Sequence, residues 1–393
     1  MAFFIPINII LHIYTYLHLH LCKCVNKHAK RSRNSSYWLP FLHFYTFTLL
    51  HKCKCPLRFL RLCCILRYMS YTFTHLHIYT FTHLFLKEGF TMEKNDSDTS
   101  ADTPKRSLKR PLTITVANNK GGAGKSTITR YLSFNVALRG YKTLIIDEDP
   151  SANTTKSMII TKARHDAEPY TMGKTMMAGV RDDNLKDLVV PIIPNLYLIP
   201  SHIDFASLPV YLSKKYGVAE PGDPDYQAIE GHKVSVIRNL LAPLKSSFDF
   251  IFIDTPPTTS SDFTRSAVFA SDYVIIAFQT QADSFDGAIQ FIDGDLSELV
   301  NVFGAETDVL GVLPNQFAPG GAIDDTVLND ARKRFGEQNL FEHILPYKKR
   351  VQSAPRIGIT REGYWNNDLF KTAIDPLTDD FFHRLNLVGE LND

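Results

Sequence analysis

Val116-Ala117-Asn118-Asn119-Lys120-Gly121-Gly122-Ala123-Gly124-Lys125-Ser126-Thr127 sits between an apolar run, Leu112 to Ala117, and a helical pattern that begins near Thr127. A strand, a glycine-rich turn, a lysine, a hydroxyl and a helix in that order form a P-loop. Backbone N–H groups of such a turn wrap phosphate oxygens, and the helix N-terminus adds the positive end of its dipole. In this pattern Lys125 neutralises the β- and γ-phosphates and Ser126 holds Mg²⁺, while Gly121, Gly122, Ala123, Gly124 and Thr127 complete the nucleotide-binding turn. A P-loop needs one lysine only. Lys120, at the start of the turn, therefore calls for its own explanation; taken alone it reads as a solvated loop cation.

Two further apolar runs end in acids. Thr143 to Ile146 leads into Asp147-Glu148-Asp149-Pro150, and Phe250 to Ile253 leads into Asp254-Thr255-Pro256-Pro257. An acid at the carboxyl end of a buried parallel strand beside a P-loop supports the Mg²⁺ shell, usually through water. The first acidic group also fits an exposed turn, because Asp before Pro is ordinary turn chemistry. From Pro111 onward, strand-like runs (Leu112–Ala117, Thr143–Asp147, Leu196–Ile199, Phe250–Asp254, Tyr273–Phe278, Val309–Leu313) alternate with helical stretches (Ser126–Leu138, Val234–Leu244, Ser284–Val302, Asp324–Phe335 and a piece near Asp379–Leu387). That alternation predicts an α/β fold, a mostly parallel central sheet flanked by helices, as one domain over 111–393. Ligands of such open sheets sit at the carboxyl ends of the strands, and Lys120, Asp147, Asp149, Asp254 and Asn315 are all expected just after strands.

The deviant lysine, the P-loop and the two acids together resemble the ParA/MinD family of deviant-Walker P-loop ATPases over roughly 112 to 363. In that family the extra lysine reaches across an ATP-sandwich dimer to the partner's nucleotide. The resemblance implies that Lys120 acts in trans with Lys125, and that Asp149 orients the attacking water. It implies that Asp147 and Asp254 support Mg²⁺ through water, and that Asn315 and Pro346 border the adenine. The expected activity is hydrolysis of ATP to ADP and phosphate, with Mg²⁺ as cofactor.

The stretch Leu345-Pro346-Tyr347-Lys348-Lys349-Arg350-Val351-Gln352-Ser353-Ala354-Pro355-Arg356 resembles the ParA signature around a DNA-binding arginine. Lys348, Lys349, Arg350 and Arg356 are the implied contacts to DNA. Residues 332–361 are rich in Lys and Arg, a plausible phosphate-backbone footprint on an otherwise acidic region. The alternative is a solvated basic face. The C-terminal piece is acidic and lacks the basic amphipathic membrane helix of MinD-type proteins. Cysteines for an iron–sulfur or metalloid site are absent past Cys64. The implied function is an ATP-dependent DNA partition ATPase, most simply for a plasmid, that works as a homodimer on ATP with non-specific DNA and a ParB-like centromere-binding partner. Its expected location is cytoplasmic and nucleoid-associated, without membrane attachment. A MinD-like or orphan ATPase that positions a protein complex is the second reading.

Residues 1–91 differ from the rest. They hold all six cysteines, nine of the 14 histidines and one acid, Glu88, and they repeat Tyr-Thr-Phe-Thr-His-Leu at Tyr71 and Tyr79. No repeat fold has so short an aromatic–Thr–His period. Phe3 to Leu21 makes a poor transmembrane or signal segment. Lys87-Glu88-Gly89 is what a ribosome-binding sequence yields when read as codons, a few codons before Met92. Residues 1–91 are accordingly expected to be an upstream region read in frame, or a disordered extension. Residues 92–110 read as a disordered lead, polar and then basic.

Overall fold

The computed structural model describes residues 107–166, 170–257, 262–317, 322–348, 351–363 and 365–392. Every described residue lies in the unit Ala101–Asp393. The expected boundary at residue 92 and most of the polar lead fall outside the described residues.

Eight strands form one sheet: β1 (Leu112–Ala117), β2 (Thr143–Asp147), β3 (Val190–Ile193), β4 (Leu196–Ile199), β5 (Phe250–Asp254), β6 (Tyr273–Gln279), β7 (Asp308–Phe317) and β8 (Leu345–Pro346). Their order is β3-β4-β2-β5-β1-β6-β7-β8. All neighbours pair in parallel except β3 with β4. The chain leaves β5 on one side of β1 and returns as β6 on the other. A crevice opens at such a reversal, outside the carboxyl ends of the strands.

Alternation along each strand loads both faces of the sheet. Phe250 and Phe252 face one apolar cluster with Ile114, Val116, Ile145 and the C-terminal Phe381. Ile251 and Ile253 face the opposite cluster with Leu144, Ile146 and Phe205. The period of two is the pleat itself. Burial on both faces makes these strands read as near-continuous apolar runs.

Helix α1 (Lys125–Leu138) starts directly on the glycine turn, and α2 (Asn153–His165) starts just after the acidic turn. The expected helix over 284–302 is present as Ala282–Gln290, a π-helical stretch Phe291–Leu296 and Ser297–Asn301 in succession. Asp147 and Asp254 are the last residues of their strands, as the runs Thr143–Asp147 and Phe250–Asp254 have them. Two expectations are corrected. Asn315 lies inside β7 rather than after it, because that strand runs on through Phe317. The end of the lead is ordered: Leu108 bridges to Leu391, and Arg110 pairs with Asp272 and with Glu390. Tertiary partners, invisible in the local composition, hold it there.

Candidate nucleotide site

Gly122 and Gly124 adopt positive φ of 80° and 91°. That backbone excludes most side chains. Gly124 caps α1 with no side-chain hydrogen bond, so the first-turn N–H groups are left for a ligand. The turn is held from behind by amide side chains. Gln279 Nε2 donates to Gly122 O at 2.5 Å, Gln316 Nε2 to the same oxygen at 3.1 Å, and Asn315 Nδ2 to Ala123 O at 2.5 Å. Gln279 and Gln316 were not singled out from the sequence. The one available signal was position: Gln279 ends the strand beside β1.

Lys125 is buried, and its Nζ donates to Asn118 O at 3.1 Å and Lys120 O at 3.3 Å. Its ammonium thus closes the mouth of the turn, where phosphate oxygens can replace those carbonyls. Burial pushes its pKa below the ordinary lysine value, opposed by the charges of Asp254 and Asp149. Lys120 is different. Its side chain is 51 % exposed and meets Asp283, itself 80 % exposed, at 3.4 Å. A solvated pair of this kind contributes about 0–1 kcal/mol, so the lysine is easily released to another acceptor.

Asp147 and Asp254 stand in register on adjacent strands, both fully buried. Asp254 Oδ2 accepts from Thr154 Oγ1 at 2.5 Å, Asp254 Oδ1 is buried with no partner, and the Ser126 hydroxyl lies beside this carboxylate and favours its charged form. A hydroxyl and an orphan carboxylate oxygen side by side are a hard donor set that fits Mg²⁺. Among the described residues no cluster of three or more His, Cys, Asp or Glu could hold a metal. Asp147 spends its oxygens on protein: Oδ2 accepts from Thr155 N and Oγ1, both at 2.7 Å, and Oδ1 from Asp149 N at 3.2 Å. Asp149 sits half-buried on the turn and accepts from Ser151 N at 2.8 Å.

Two buried ionisable groups near these acids were given no role by the sequence reading. Arg130, on α1, donates to Ser157 Oγ at 2.7 Å and faces Asp254 and Asp147 as a counter-charge. Glu148 is fully buried with both carboxylate oxygens unpartnered. Burial first, then Asp147 and Asp254, hold its pKa well above the usual carboxylate range.

A cavity of about 110 Å³ opens beside Thr127, lined by Asn315, Pro346, Tyr347, Leu369 and Ile374. The structure thus brings together the P-loop and both residues expected at the base. The Asn315 amide nitrogen is already engaged by Ala123 O and, at 3.0 Å, by Phe278 O. Its Oδ1 lies against Gly124, 2.6 Å from where a β-carbon of that residue would stand.

The basic stretch is only partly described, for Lys349 and Arg350 lie outside the described residues. Lys348 pairs with Asp368 at 3.2 Å, and Arg356 is exposed on the short helix Ala354–Ile357. Arg332, Lys333, Arg334 and Arg361 each pair with an acid, so the formal basic excess of this region overstates its free charge.

A glycine turn on β1, a buried lysine and an acid ending β5 define a P-loop nucleotide-binding domain. Residues 112–298 match the family described as AAA domain. The chromosome partitioning protein ParA of Myxococcus xanthus is 25 % identical over 251 residues, which cover 62 % of this chain and 78 % of that protein. Among solved structures, apo McdA from Cyanothece superposes with a TM-score of 0.57 at 21 % identity, covering 70 % of this chain and 99 % of that one. A plasmid partition protein of Borrelia burgdorferi bound to AMPPNP gives 0.54 at 19 % identity, covering 70 % of this chain and all of that one. Residues 112–298 are thus similar to the AAA domain family, and the glycine turn and both acid-ended strands lie inside that stretch.

Proposed function

We propose that the protein is a DNA partition ATPase that pairs on ATP. Two subunits enclose two nucleotides. Lys125 binds the β- and γ-phosphates; Mg²⁺ would be held by Ser126 and, through water, by Asp147 and Asp254, and would supply further positive charge to those phosphates. Asp149 orients the attacking water, and Lys120 places positive charge on the neighbour's terminal phosphate. Catalysis is then mostly positioning and charge neutralisation. The paired form binds DNA through Arg356 and the adjoining Lys348, Lys349 and Arg350, without sequence preference. A ParB-like partner stimulates turnover and releases the dimer. A plasmid is the simplest cargo, and the expected site of action is the nucleoid.

The observation that carries this reading is the contrast between the two lysines. Lys125 is buried within its own loop, whereas Lys120 is half-exposed on a weak surface pair, beside an intact P-loop that has no use for it. Sedimentation with and without Mg·AMPPNP tests the proposal. Wild type is expected to dimerise with nucleotide, and Lys120→Ala to bind nucleotide yet remain monomeric or lose turnover. Unchanged pairing and turnover in Lys120→Ala would reject it.

The second reading is a MinD-like or orphan ATPase that positions a protein complex rather than DNA. Salt-dependent binding to unrelated DNA sequences, present with ATP and absent without it, separates the two. No helix among the described residues is long and apolar enough to cross a membrane. The C-terminal helix Asp375–Leu387 carries Asp375, Asp379 and Asp380 against Arg384, the wrong balance for an anionic lipid surface.

A further inference from the structure

We propose that α2 couples the nucleotide site to the segment 351–359, so that bound nucleotide alters how Arg356 is presented. The inference rests on the partition reading only for the meaning of that change. Helix α2 carries buried hydroxyls at Thr154, Thr155, Ser157 and Thr161, and their partners fall at opposite ends. At the N-terminal end, Thr154 and Thr155 hold the carboxylates of Asp254 and Asp147. One turn on, Ser157 accepts from Arg130 of the P-loop helix. At the C-terminal end, Thr161 Oγ1 accepts from Ile359 N at 2.8 Å, and Arg164 donates to Ile357 O at 2.8 Å. Between these two, Gly358 has φ of 74°, and a methyl group there would lie 2.9 Å from Thr161 N. The segment is therefore seated directly on the helix backbone.

A hydrogen-bonded helix of 13 residues moves as a rod of about 20 Å. Its hinge is already strained. Ala152, which leads from the Asp149 turn into α2, sits in the left-handed region with φ 55° and ψ 35°. A non-glycine residue holds that conformation only when its surroundings impose it. The trigger is the Asp254 carboxylate, with one oxygen gripped by Thr154 and the other unpartnered beside Ser126. A Mg·nucleotide that draws on this carboxylate changes the grip on α2, and the rod carries the change to Ile357–Ile359.

Hydrogen exchange on the full-length chain, with and without Mg·AMPPNP, tests the coupling. Wild type is expected to show a nucleotide-dependent change in peptides that span 351–363. Thr161→Val, which removes the acceptor for Ile359 N, should abolish most of that change while AMPPNP affinity stays within about twofold. Thr161→Ser keeps the hydroxyl and should restore it. Gly358→Ala attacks the same contact from the other side and should also uncouple, which keeps the test valid if the valine variant folds poorly. No change in wild type, or an equal change in wild type and both uncoupling variants, would overturn the proposal. Coupling seen by exchange in a wild type that binds no DNA would sink the partition reading and leave this inference standing.

Discussion

A methyl group placed on Gly124 would lie 2.6 Å from Asn315 Oδ1, on a residue whose φ of 91° already excludes most side chains. Gly124→Ala is therefore expected to cost about 1–3 kcal/mol by strain and overpacking, and to abolish nucleotide binding. Urea unfolding and titration with a fluorescent ATP analogue would measure both. The acids make a second prediction. Burial raises the pKa of Asp147 to about 8 and raises those of Glu148 and Asp254 in the same direction. Carboxyls raised in the folded state bind more protons there than when unfolded, so stability falls as pH rises from about 4 towards 8. The nucleotide-free protein should melt at a higher temperature at pH 6 than at pH 8, and Asp147→Asn should flatten that slope. A melting temperature that rises over this interval would contradict the assignment. At this scale the P-loop and its acids were legible, because each role is set by neighbours a few positions away. Gln279, Gln316 and Arg130 were not, since their partners lie on other elements.

Helix Ala282–Gln290 shows what packing adds to a motif. A side chain at Gly287 would meet Asn118 Oδ1 at 2.7 Å and Lys120 Cβ at 3.1 Å, so this helix lies against the start of the P-loop. Gly287→Val should push the loop out of register and weaken ATP binding at least tenfold, with the sheet intact; isothermal titration beside circular dichroism would check it. The same helix supplies Asp283 to Lys120, and its π-helical continuation supplies Asp295, which accepts from Asn119 Nδ2 at 2.7 Å. The buried strands and the helix over 284–302 were readable from apolar runs and from the 3.6-residue period. The edge strands were not. β3 is half-exposed and antiparallel, and β8 is only two residues long, so neither writes a pattern in its own composition. Helix α2 was overlooked because its buried face is mostly hydroxyl, with Thr154, Thr155, Ser157 and Thr161 beside a single buried apolar side chain, Met158.

Across the whole molecule, the two ends of the described unit meet. Leu108 bridges to Leu391, Asn392 N donates to Ser107 O at 2.9 Å, and Arg110 reaches Asp272 and Glu390. Removal of 391–393 should lower the melting temperature by a few degrees, about the effect of 1 kcal/mol in a domain of this size. A chain beginning at Met92 retains all of these contacts and is expected to melt with wild type; a large drop would show that residues 1–91 support the fold. The sequence by itself determined the class of fold, the phosphate-binding turn and the acids that face it, because hydrophobic period and motif spacing act over a few residues. Tertiary structure alone decided which acid keeps a free oxygen, which basic residues are already neutralised, and which side chains brace the loop. Those properties depend on burial and on partners far apart in the chain, brought together only when the sheet closes over both of its faces.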